Sequence, residues 1–67
     1  MVNTKLLQEK MKNNGFTIKE LAKKIGLSKT GLFNKIHNKC EFKGSEINSI
    51  ALALRLTKAN INQIFFA

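Results

Sequence analysis

Sixty-seven residues make one small domain, near the size where single domains become marginal and too short to build a sizeable core beside a catalytic cleft. Twelve Lys and Arg against four Asp and Glu leave a net charge of +8, a field that attracts polyanions, either nucleic acid or an anionic membrane surface. One cysteine, Cys40, excludes an internal disulfide, and no apolar run reaches membrane-spanning length.

In chain order, MVNTKLLQEKMK is interrupted by charge every few residues, so it lacks the apolar stretch of a signal peptide and a cytoplasmic location is expected. Residues 3 to 13 form the first helix. Asn3 or Thr4 caps it, Leu6, Leu7 and Met11 make its apolar stripe, and Asn13, Asn14 and Gly15 end it. The second helix has complete start signals. Thr17 caps it, Glu20 closes a capping box and Phe16 staples onto Leu21. Ile18, Leu21, Ala22 and Ile25 recur at helical spacing, which buries one face and leaves Lys19, Lys23 and Lys24 in water.

Gly26 stops this helix, because the residue past a helix end often takes a left-handed backbone that glycine adopts without steric cost. Leu27 runs into the core and Ser28 caps a third helix that sends Leu32 and Ile36 inward. Two helices joined by so short a turn cross steeply, which is the helix-turn-helix arrangement. Ala22 supplies the small side chain wanted where the second helix passes close to the third. His37, Asn38 and Lys39 close the third helix, with Asn38 as its left-handed terminator.

KCEFKGS is a loop anchored by Phe42. Ser45 caps a fourth helix in which Ile47, Ile50, Ala51 and Leu54 are the buried positions and Leu52 and Leu56 widen the stripe. Thr57 caps a last short helix, KANINQIFF, with Ile61, Ile64 and Phe65 on one side. The fold class expected is all-α: a compact bundle of five short helices containing a helix-turn-helix in helices two and three, as a single domain over 1–67. Ten of the twelve basic residues lie in 1–43, so the helix-turn-helix half is the cationic half.

The stretch from Thr17 to Ile36 resembles the lambda-repressor-like helix-turn-helix family, the Cro/repressor or XRE-type class of DNA-binding domains. Leu21 and Ala22, Gly26 in the turn, Ser28 opening helix three and buried Leu32 carry the resemblance. Phe42, Glu46-Ile47 and the terminal INQIFF are similar to small Cro-like or repressor-modulator proteins of phages of Gram-positive bacteria. The chain departs from the pattern at Gly31, where Thr or Ser is usual, at Asn38, where Gly is common, and at Cys40, where a basic residue is common. Gly31 inside helix three costs about 1 kcal/mol relative to Ala; either the helix is somewhat soft, or the missing side chain lets DNA come close.

Binding chemistry then assigns roles. Phosphates supply most of the affinity, and side chains that reach base edges supply sequence choice. With Leu32 and Ile36 inward, Lys29, Thr30, Phe33 and Asn34 fall on the outer or flanking faces of helix three and are the base-reading candidates. Phe33 has a second place open to it, packed beside Phe16 or Phe42. The N-terminus of helix two, with Thr17, Ile18 and Lys19, offers N–H groups to a phosphate, and Ser28, Lys35, Lys39 and Lys43 complete the phosphate set. His37 and Cys40 fall short of the four ligands a structural zinc needs, so no metal and no cofactor are expected. Triad, paired carboxylates, P-loop and nucleotide fingerprint are absent, which predicts a non-enzyme. Ile64, Phe65 and Phe66 either close the core against helix one or, in part, contact a second copy or another protein. The function expected is a sequence-specific DNA-binding transcriptional regulator of Cro/repressor type, inserting helix three (about 28–38) in the major groove of double-stranded operator DNA, with a homodimer as one possible assembly. The alternative is a modulator or antirepressor that binds a partner repressor protein. A membrane partner is not expected, because the apolar faces of all five helices are needed for one core.

Overall fold

The structure, a computed structural model, describes residues 1–66. Five α-helices follow one another, α1 (Thr4–Asn13), α2 (Ile18–Ile25), α3 (Lys29–Ile36), α4 (Gly44–Leu54) and α5 (Lys58–Ile61), and α5 runs on into a π-helical turn over Asn62–Phe66. Among the described residues there is no strand. Each start has an identifiable cause. The Asn3 side chain, rather than that of Thr4, accepts the Leu6 N–H and caps α1. The Thr4 hydroxyl instead donates to the Ile36 carbonyl at 2.6 Å, tying the start of α1 to the end of α3.

The box that opens α2 is reciprocal: Thr17 Oγ1 accepts from the Glu20 N–H at 3.2 Å, and Glu20 Oε1 accepts from the Thr17 N–H at 3.0 Å. Gly26 ends α2 in the left-handed region at φ 79, where its N–H and that of Leu27 both donate to the Ala22 carbonyl. Asn38 follows α3 at φ 63, as its sequence position predicts. A second non-glycine residue in the left-handed region, Arg55 at φ 53, ends α4 with no glycine to mark it.

Three expectations are corrected. Ser45 does not cap α4. The helix starts two residues earlier, with Lys43 as its cap and the Lys43 N–H donating to Glu46 Oε1 at 2.8 Å, because Glu46 stands three residues after Lys43 and can close that end. Leu52 does not widen the buried stripe. It is 75% exposed, since its position lies well round the helix from the face that buries Ile50, Ala51 and Leu54. The last helix is not uniform: Thr57 and Asn60 form its capping box, but the α-helical part ends at Ile61 and the π-helical turn carries Ile64 and Phe65 inward.

One core joins all these elements, built from Leu7, Met11, Leu21, Ala22, Leu32, Ile36, Ile50, Leu54, Ile64 and Phe65. Helix α2 packs against both α3 and α4, with Ala22 buried as its small residue. The C-terminal turn closes on α1, where the Asn3 N–H donates to the Ile64 carbonyl at 2.7 Å. Phe42 anchors the loop after α3 by meeting the edge of Phe65, centroids 5.4 Å apart at 84°. Among the described residues no helix is long and apolar enough to cross a membrane.

Candidate nucleic-acid interface

With Leu32 and Ile36 in the core, α3 turns its other side outward. Ser28 sets where it starts, its Oγ accepting the Gly31 N–H at 2.9 Å. Lys29 and Thr30 are exposed in the first turn, and Asn34 is half-buried one turn later. Phe33 does not pack beside Phe16 or Phe42. It is 45% exposed and lies against His37, one turn on, with ring centroids 4.3 Å apart at 41°. The four base-reading candidates therefore share the outward and flanking sides of one helix.

Gly31 sits among them, and its missing side chain has a local cause. A Cβ there would lie 3.0 Å from Ser28 Oγ, the atom that caps the helix. The glycine thus leaves the capping hydroxyl room at the cost of some helix propensity.

Around this helix, Thr17, Lys19, Ser28, Lys39 and Lys43 are exposed and Ile18 is half-buried. At the start of α2 the N–H groups of Ile18 and Lys19 precede the helix's own hydrogen-bond ladder, so they point out of its positive end. Glu20, in the same turn, has its carboxylate turned back on the cap. The Thr17 N–H first, and the Thr17 hydroxyl second, hold its pKa below the ordinary carboxylate value. The acid therefore serves the helix end and leaves the lysines around it unpaired by ion contact among the described residues.

Lys35, expected among the phosphate contacts, stands in a different setting from the other lysines. Its Nζ lies 2.6 and 2.7 Å from the two carboxylate oxygens of Glu46. The two side chains are only 14% and 11% exposed, and this is the one ion pair among the described residues. The hydrogen bond from Lys35, aided by the Lys43 N–H and by both lysine charges, lowers the Glu46 pKa against the opposing effect of burial. The ammonium is thus committed to α4. Sequence reasoning misses this pair because its members are eleven residues apart across a loop, outside the i, i+4 spacing that a helix pattern detects.

The three residues expected as a partner contact at the C-terminus differ in exposure. Ile64 is fully buried and Phe65 nearly so, whereas Phe66 is 67% exposed. Phe66 lines an open groove of about 450 Å³ together with Met1, Val2, Cys40, Phe42 and Phe65. His37 and Cys40 are both exposed, and among the described residues no three His, Cys, Asp or Glu side chains come together in a way that could hold a metal ion.

A comparison with curated proteins and with solved structures returns no match. The family model of the Cro/C1-type HTH DNA-binding domain matches residues 6–64, a span that begins inside α1 and ends at the buried Ile64. It includes both capped helices, the left-handed Gly26 between them and the α4 that supports them. The chain belongs to the Cro/C1-type helix-turn-helix DNA-binding family.

Proposed function

We propose that this chain is a sequence-specific transcriptional regulator of the phage Cro/repressor kind, which lays α3 in the major groove of double-stranded operator DNA. The observation that carries the reading is the outer side of α3. Lys29 and Thr30 stand free in its first turn, with Phe33 and Asn34 a turn later, on a helix whose start is fixed by the Ser28 cap. Lys29 suits guanine O6 and N7, Asn34 suits the N6 and N7 edge of adenine, and Thr30 or Phe33 suits a thymine methyl. The α2 N-terminus at Thr17, Ile18 and Lys19, with Ser28, Lys39 and Lys43, supplies phosphate contacts on either side. Regulation follows by steric competition with RNA polymerase or another repressor for the same DNA. Two copies would read half-sites about one helical turn apart.

Selection of bound sequences from a random duplex pool tests this reading. Enrichment of one short motif, with affinity falling steeply as salt rises, is the expected result. Recovery of unenriched sequence would overturn it.

A second reading, a modulator or antirepressor that binds a partner repressor, draws on the 67% exposed Phe66 at the groove beside Met1 and Phe42. Co-purification with the partner, lost in Phe66→Ser while DNA selection fails, is the outcome that favours it over the first.

A further inference from the structure

We infer that Lys35 and Glu46 form a positioning pair that sets how α3 is presented to DNA, and that Lys35, although a lysine of the recognition helix, contributes no phosphate contact. The inference rests on the DNA-reading function proposed above and assigns a determinant of its specificity.

The geometry is one-sided. Both Glu46 oxygens take the Lys35 ammonium, and Oε1 also takes the Lys43 N–H at 2.8 Å. One carboxylate therefore joins the C-terminal half of α3 to the first turn of α4 and to the end of the loop between them. Helix α4 in turn packs on α2, so the pair closes a triangle of α2, α3 and α4. The apolar contacts of Leu32 and Ile36 hold α3 against the core, but such contacts are non-directional. A bidentate charged contact with little exposure adds a direction. It restricts rotation of α3 about its own axis, and rotation is what moves Asn34 and Phe33 off a base edge. Hydrogen bonding within about an ångström of the productive geometry is what discriminates between bases, whereas attraction to phosphates tolerates such displacement.

Burial of an ion pair is weak evidence for stability, because desolvation opposes the attraction. A role in orientation thus makes a prediction that a stability role does not. Replacing the pair by neutral side chains of similar size should leave the fold standing and lower selectivity.

The test compares wild type, Lys35→Met and Lys35→Met/Glu46→Gln. The double variant leaves no unpaired charge, and the amide oxygen that replaces the carboxylate can still accept the Lys43 N–H. Binding to a motif duplex from the selection and to a random duplex is measured by anisotropy across a salt series, with thermal melts alongside. For Lys35→Met and the double variant, random-duplex affinity and its salt slope should match wild type, while motif affinity falls about tenfold, the size of effect seen for one lost base contact. The double variant should melt close to wild type and still show the loss. If Lys35 is a phosphate contact, the salt slope instead falls by about 0.9 and both duplexes weaken together, which overturns the inference. Unchanged binding to both duplexes overturns it equally, leaving the pair with a structural role alone. Selectivity that recovers in step with the melting temperature of the double variant has the same meaning. Wild type without preference for any duplex removes the DNA-reading function itself, an outcome distinct from each of these.

Discussion

Asn38 clasps Val2. Its Oδ1 accepts the Val2 N–H at 2.7 Å and its Nδ2 donates to the Val2 carbonyl at 3.1 Å, so a residue just past the end of α3 clips the chain's first residues in place. The same residue holds a left-handed backbone at φ 63. Asn38→Ala loses the clasp and meets the left-handed penalty, whereas Asn38→Gly loses only the clasp. Urea denaturation should place the Ala variant about 2 kcal/mol and the Gly variant about 1 kcal/mol below wild type. Equal losses in the two would contradict this division.

Glu46 gives stability a defined dependence on acid. Its folded pKa is lowered, chiefly by the Lys35 hydrogen bond, so in the carboxylate range the unfolded chain binds more protons and stability rises with pH. The contribution is complete above the unfolded value, about 4.3, and is lost as pH falls through the lower folded value. Glu20 adds a change of the same sign. Melting temperature measured from pH 7 to pH 3 should fall more steeply in wild type than in Glu46→Gln, which starts lower at neutral pH and lacks this group's share. Parallel curves would show that the carboxylate is not responsible.

Gly31 and Ser28 should be coupled. In wild type, Gly31→Ala gains helix propensity but brings a Cβ to 3.0 Å from the capping Oγ, so the gain of about 1 kcal/mol is offset by a strained cap worth a similar amount. In a Ser28→Ala background the crowding atom is gone, and the same substitution should stabilise by about 1 kcal/mol. A double-mutant cycle on chemical denaturation measures this. Identical effects in both backgrounds would remove the crowding explanation.

Much of this fold is legible in the sequence because its signals are local. Thr17 with Glu20, Gly26, Ser28 and Asn38 each declare a helix end through chemistry confined to a few residues, and each acts as expected. The core positions follow from helical spacing in the same way. The misses are of another kind. Lys43 and Glu46 outcompete Ser45 as the cap of α4, and Leu52 reads as core because spacing alone cannot tell where a wide stripe stops. The Asn38–Val2 clasp, the Thr4–Ile36 bond and the Lys35–Glu46 pair join residues distant in sequence. Local patterns cannot register such pairs, so they give no sign that the Lys35 ammonium meets Glu46.

The two neighbouring phenylalanines at the C-terminus should part company. Phe65 is in the core and meets Phe42 edge-on, so Phe65→Ala should cost about 3 kcal/mol. Phe66 is 67% exposed, and Phe66→Ala should fall within about 0.5 kcal/mol of wild type. Thermal or chemical denaturation of the two single variants checks the contrast. A large loss at Phe66 would mean that its side chain is covered in solution.

The central claim is that the outer side of α3 selects a base sequence. The most direct measurement titrates wild type and Lys29→Ala/Asn34→Ala against the selected duplex and a random duplex at the same salt. Wild type should prefer its motif by about a thousandfold or more. The double variant should lose about a hundredfold or more of that preference, as two base contacts worth about 1–3 kcal/mol each disappear, while keeping its melting temperature and most of its random-duplex affinity. A double variant that retains the full preference for the motif would contradict the account, because the sequence would then be read by some other part of the molecule.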